Sequence, residues 1–140
     1  IRGVDRSVRK TEGTLAARAK LVVRERIMTD GEEFAQTDFD VTLAGEDSGA
    51  DLVSRSVARG RSHQVFNSCI RGETRCTGHS ECDAILADEG TVSAEASHVD
   101  AELIHEAAIG KIAGEQILKL RTLGLTEEEA EERIISGFLK

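Results

Sequence analysis

The groups best suited to chemistry are sulfur and imidazole donors gathered in one part of the chain. Cys69, Cys76 and Cys82 lie in the run of residues 56–88 beside His63 and His79, and Leu103-Ile104-His105-Glu106 follows some twenty positions later. A thiolate is the preferred protein ligand for iron, zinc and iron–sulfur clusters, and imidazole is a borderline ligand for the same metals. Cys82, in Glu81-Cys82-Asp83, reads as the start of a strand after a polar turn, which puts its thiol near an edge that a ligand or partner can approach. Cys69, between Ser68 and Ile70 in an alternating stretch, and Cys76, in a Gly- and Thr-rich turn, read as scaffold, because free cysteine packs as a small hydrophobe. Arg59 and Arg61 would lower the pKa of any thiol the fold brought to them. His105 and Glu106 are adjacent, so on a strand they point to opposite faces and only one readily joins a given site. His105 reads as a ligand or proton acceptor, Glu106 as a ligand or as the cap of a following helix.

Positioning these groups falls to strands. From Phe39 to about Ile109 the chain alternates apolar and polar residues in segments divided by Gly, Asp, Glu and Ser: Phe39 to Leu43, Leu52 to Val57, Gln64 to Ile70, Cys82 to Leu86, Thr91 to Ala94 and Ala101 to Glu106. Period two predicts strands of four to seven residues. Short strands filled with Val, Ile, Ala, Ser, Cys and Thr suit stacked coils, and a β-sandwich fits the same strand count. No exact internal repeat is visible, and residues 14–26 are left undecided. The last 30 residues change period. Ile117, Leu118, Leu120 and Leu123 share a face, Gly124 stands where a helix terminates, Thr126 with Glu129 forms a capping box, and Ala130, Ile134 and Phe138 continue at spacing four with Glu129 and Arg133 paired. The prediction is a helical hairpin.

Composition excludes several classes. The net charge of -8 argues against a binder that works by neutralising phosphates. No apolar stretch approaches the roughly 20 residues of a membrane span. Three cysteines without CxxC spacing indicate neither a disulfide framework nor a zinc ribbon, so a reducing cytosol is the simpler setting. No P-loop, GxGxxG, GxSxG or HExxH pattern occurs, which removes nucleotide hydrolysis by this chain and those catalytic routes. Four Phe and no Trp or Tyr call for thin layers of aliphatic residues, and the absence of Pro means either a fold that avoids it or missing segments. The first residue is Ile1 rather than Met, as expected of a fragment.

Three blocks then carry a resemblance: SVARGRSHQVFNSCIRG, GHSECDAILADEG and LIHEAAIGKIAGEQILKLRTLGLTEEEAEERIISGFLK, which span about residues 50–140. Together they resemble the carboxy-terminal part of the SufB and SufD proteins of the Suf iron–sulfur cluster assembly system. The resemblance implies a right-handed parallel β-helix, expected over residues 1–110, and a helical region, 111–140, on which SufC, an ABC-type ATPase, docks. It implies that Cys82 matches the cysteine on which a SufB protein builds a nascent cluster. Ile104, His105 and Glu106 match a Glu-His-Glu triplet of which the first carboxylate is lost here, and His105 also matches a SufD histidine at the interface between the two proteins. The function so implied is a cytoplasmic, non-enzymatic scaffold for a transient iron–sulfur cluster, with Cys82 and His105 as metal ligands and Glu106 beside them. Its partners would be the ATPase and a SufB/SufD-like protein or a second copy, with Cys82 of one protomer facing His105 of the other. Two rival readings are a structural SufD-like partner that holds no cluster and a metal-dependent enzyme using Cys82, His105 and Glu106.

Overall fold

Eight period-two segments pair side by side into two parallel sheets. The computed structural model describes residues 3–99 and 102–140. Its strands are β1 (Arg6–Leu15), β2 (Lys20–Thr29), β3 (Phe34–Leu43), β4 (Ser48–Ala58), β5 (His63–Gly72), β6 (Cys76–Leu86), β7 (Thr91–Val99) and β8 (Glu102–Lys111), followed by helices α1 (Gly114–Thr122) and α2 (Glu127–Phe138). Odd strands form one sheet in the order β1-β3-β5-β7 and even strands the other in the order β2-β4-β6-β8, all pairs parallel. Consecutive strands therefore alternate between sheets, and the chain coils through about four turns of a β-solenoid.

Register sets the repeat. Leu15 pairs with Leu43 and Leu43 with Gly72, while Glu25 pairs with Ser54 and Ser54 with Cys82, so each turn advances 28 or 29 residues. The last turn is shorter, since Cys82 pairs with Ala107. Alternate residues point into the coil. Leu43, Leu52, Val41 and Val57 are wholly buried, and Phe39 meets Phe66 with ring centroids 5.9 Å apart. Each such aliphatic burial contributes about 1.5–3 kcal/mol.

The corners are stacked as closely as the strands. Gly31, Gly60 and Asp88 recur with positive φ at one corner, Arg18 and Asp47 at the other. Corner N–H groups reach the next turn: Arg61 donates to the Gly31 carbonyl and Glu89 to that of Gly60, both at 2.8 Å. At Gly90 a Cβ would fall 2.2 Å from the Ala58 carbonyl oxygen, so only glycine fits. Proline has no N–H to give to such ladders, so these strands and corners exclude it, and the sequence contains none.

Several expectations change. Strands run 9–11 residues rather than four to seven, because pairing with the neighbouring turn carries polar residues that sequence reading assigns to turns. Cys76 thus opens β6 instead of lying in a turn, residues 14–26 take in the end of β1, a corner at 16–19 and the start of β2, and residue 101 of the last expected strand lies outside the described residues. The hairpin is present, with Gly124 at φ 92° and the Thr126–Glu129 capping box formed. Glu129 bonds the Thr126 N–H at 2.8 Å and makes no ion pair with Arg133. Glu106 caps nothing: the N-cap of α1 is Ala113, without a side-chain bond. Ala130 and Ile135 anchor α2, and Glu131 approaches the corner residue Arg59 at 3.5 Å.

Candidate functional site

Cys82 sits in mid-strand, not at an edge. It points into the coil between Ser54 on β4 and Ala107 on β8 and is only 1% exposed. Its neighbourhood is acidic: the Glu25 carboxylate, itself buried, accepts from Ser54 Oγ at 2.7 Å and forms an ion pair with Arg9 on β1. Burial, then the charges of Glu25 and Asp83, push the Cys82 thiol up from an ordinary 9.0 to about 12. This reverses the expectation of a thiol activated by nearby arginine. Arg59 faces Asp30 and Glu131, and Arg61 faces Glu32.

His105 lies on β8, the last strand of its sheet, opposite Ser80. Ser80 and Cys82 are two apart on β6, so His105 shares the inward face with Cys82 one step along the neighbouring strand. Strand spacing and rise put the two Cα positions about 8 Å apart. His105 Nδ1 is buried and makes no hydrogen bond among the described residues. A buried polar atom without a partner is uncommon; this one lies on the strand paired with that of a buried thiol. Both donors belong to one chain and to adjacent strands, so a site made of them need not borrow its histidine from a second protomer.

Glu106 pairs with Glu81 on the outer face of the same sheet. It joins His79, not Cys82, as the alternation of β8 requires. The remaining donors are structural: His63 Nδ1 lies 2.6 Å from Thr91 Oγ1 with its ring beside Phe34, Cys76 belongs to the apolar core, and Cys69 is half-buried on the outer face with Arg71 Nη1 3.2 Å from its sulfur. Two neighbours of Cys82 escape sequence reading, Ser54 and Glu25. The signal that reveals them is the 28- or 29-residue register, seen also in the recurrence of the corner residues Gly31, Gly60 and Asp88.

Beyond β8 only residues 112–113 precede α1. No residue of α1 is buried, and Leu118 and Leu123 are 63% and 74% exposed. A groove of about 540 Å³, lined by Leu86, Lys111, Ile117, Leu118, Arg121 and Glu131 among others, runs between the hairpin and the coil. No helix among the described residues is long and apolar enough to cross a membrane.

Residues 7–138 match the family model described as "SUF system FeS cluster assembly, SufBD core domain". Among curated proteins, an iron-sulfur cluster assembly SufBD family protein of Methanothermobacter thermautotrophicus is 40% identical over 105 residues, 71% of this chain and 26% of that protein. A namesake from Archaeoglobus fulgidus is 38% identical over 70% of this chain and 28% of its own length. One from Pyrococcus horikoshii is 33% identical over 89% of this chain and 40% of its own. The chain thus spans about a quarter of the first two relatives. The family match takes in β1 to β4, which the three sequence blocks hardly touch.

Proposed function

This chain belongs to the SUF-system iron–sulfur cluster assembly SufBD core family, and we propose that it serves there as a scaffold on which a nascent cluster is held by Cys82 and His105. The observation that carries this reading is the pairing of a buried thiol with an unpartnered imidazole nitrogen on one face of adjacent strands. The cluster is cargo. Iron takes the thiolate, so loading requires Cys82 to lose the proton that burial and Glu25 make it keep, and requires the interior to open. β8 is the strand to move: it is paired on one side only, carries His105, and is tied to α1 by two residues. A SufC-type ABC ATPase docked on the exposed apolar face of the hairpin, Leu118 and Leu123 included, would pull on β8 and uncover Cys82. A SufB/SufD-like partner or a second copy would extend the sheet from the open edge of β8. Three free cysteines suit a reducing, cytoplasmic setting.

Anaerobic reconstitution with iron and sulfide tests the reading. Wild type should develop visible absorption from thiolate-bound iron, Cys82→Ala should lose it, and His105→Ala should reduce it. Equal absorption in Cys82→Ala and wild type would sink it. The near-complete burial of Cys82 favours one rival, a structural partner that never holds a cluster, for which wild type itself would stay colourless. An enzyme built on Cys82, His105 and Glu106 lacks support, since Glu106 is on the other face of the sheet.

A further inference from the structure

The outer face of the even-strand sheet holds a second set of donors, away from Cys82. Register sets Glu81 directly opposite Glu106. Like charges so opposed destabilise neighbouring strands unless something positive lies between them. His79, two residues before Glu81 on the same face, brings its Nε2 to 3.2 Å from Glu106 Oε2 and 3.7 Å from Glu81 Oε2. The other ring nitrogen, Nδ1, is 2.8 Å from Asp51 Oδ1, and Asp51 is held in turn by Arg24 from β2. A neutral imidazole has one N–H. Asp51, against burial and together with Glu106, holds the ring's pKa above its ordinary value, and Nε2 is within hydrogen-bond distance of Glu106. A cation between the glutamates displaces the Nε2 proton and leaves the Nδ1 proton bonded to Asp51, the arrangement in which a carboxylate orients a metal-binding histidine.

We propose that His79, Glu81 and Glu106 form a divalent-cation site on this face, with Asp51 positioning the imidazole. Spacing supports it: one donor atom from each residue lies within 4.8 Å of the others. Two ligands about 2.1 Å from a tetrahedral metal stand roughly 3.4 Å apart, close to the separations found around Nε2. One nitrogen and two carboxylate oxygens select a borderline divalent metal such as zinc, cobalt or ferrous iron over calcium, which takes only oxygen. Three protein ligands leave a coordination position open to solvent, because Glu106 is exposed on the edge strand. The site excludes Cys82 and does not rest on the scaffold reading.

Cobalt(II) titration of the 140-residue chain, followed by d–d absorption with zinc as competitor, tests the assignment. Saturable binding of one ion without thiolate charge-transfer bands is expected. His79→Gln should weaken it by roughly 100-fold or more and Asp51→Asn by about tenfold, the latter in the range for an orienting partner. Glu106→Gln, which relieves repulsion and so keeps β8 in place, should weaken it as well, while Cys82→Ala leaves it unchanged. The proposal is overturned by the absence of saturable binding, by wild-type affinity in His79→Gln and Glu106→Gln, or by thiolate bands that vanish in Cys82→Ala. Failure here leaves iron and sulfide reconstitution at Cys82 untouched, and failure there leaves cobalt binding at His79 untouched, so the two outcomes are separable.

Discussion

Cys82 joins two properties that oppose each other in a ligand, a soft donor atom and an environment that keeps it protonated. Sequence reading singled out the residue but not its surroundings, because Glu25 and Ser54, which approach it through the register, stand 57 and 28 positions earlier in the chain. With its pKa raised to about 12, Cys82 should resist alkylation in the native state. Iodoacetamide at pH 8 followed by mass spectrometry should label the half-buried Cys69 first and Cys82 only after denaturant is added; equal labelling rates would refute the closed interior. The sign for stability follows from the same shift. The folded chain holds this proton more tightly than the unfolded chain does, so the contribution is fully present below pH 9.0 and is lost as pH rises towards 12. Chemical denaturation across that window should show a decline in wild type that is smaller in Cys82→Ala.

At the scale of elements, what was legible depended on whether the signal was local. The capping box of α2 involves residues three apart, and Thr126 with Glu129 forms it as the pattern predicts. Strand bounds are not legible locally because they depend on pairing with segments 28 or 29 residues away, which makes Ser48 and Cys76 strand residues rather than turn residues. The apolar stripe of α1 is legible as a helix face, although its sequence does not tell that Ile117 and Leu120 are only half-buried and Leu118 stays exposed. Corner packing gives a sharper test than strand composition. Gly90→Ala drives a methyl into the Ala58 backbone, for which the chain has no room. Urea unfolding should register a loss of about 2–3 kcal/mol, at the upper end for overpacked sites. A loss under 0.5 kcal/mol would mean that the corner yields.

Taken as a whole, the molecule is a stack in which each turn touches chiefly its neighbours, so its stability is close to a sum over adjacent turns. That geometry orders the two donor sets: Cys82 and His105 inside, and His79, Glu81 and Glu106 outside, lie on the same two strands, β6 and β8. Both sets therefore depend on one strand pair, at the end of the coil nearest the helices. The inner set is legible in the three sequence blocks of the family resemblance, while the outer set emerges only from the fold, because Asp51 and Glu106 reach His79 from 28 and 27 residues away.

The hydrogen-bonded corners that exclude proline also shape how the chain reaches its fold. Slow refolding phases of tens to hundreds of seconds in small proteins commonly come from prolyl isomers trapped in the unfolded chain. This chain has no such clock. Refolding after long and short incubation in denaturant should give superimposable traces that a prolyl isomerase leaves unaltered. Any slow step that remains then reports the closing of successive 28-residue coils.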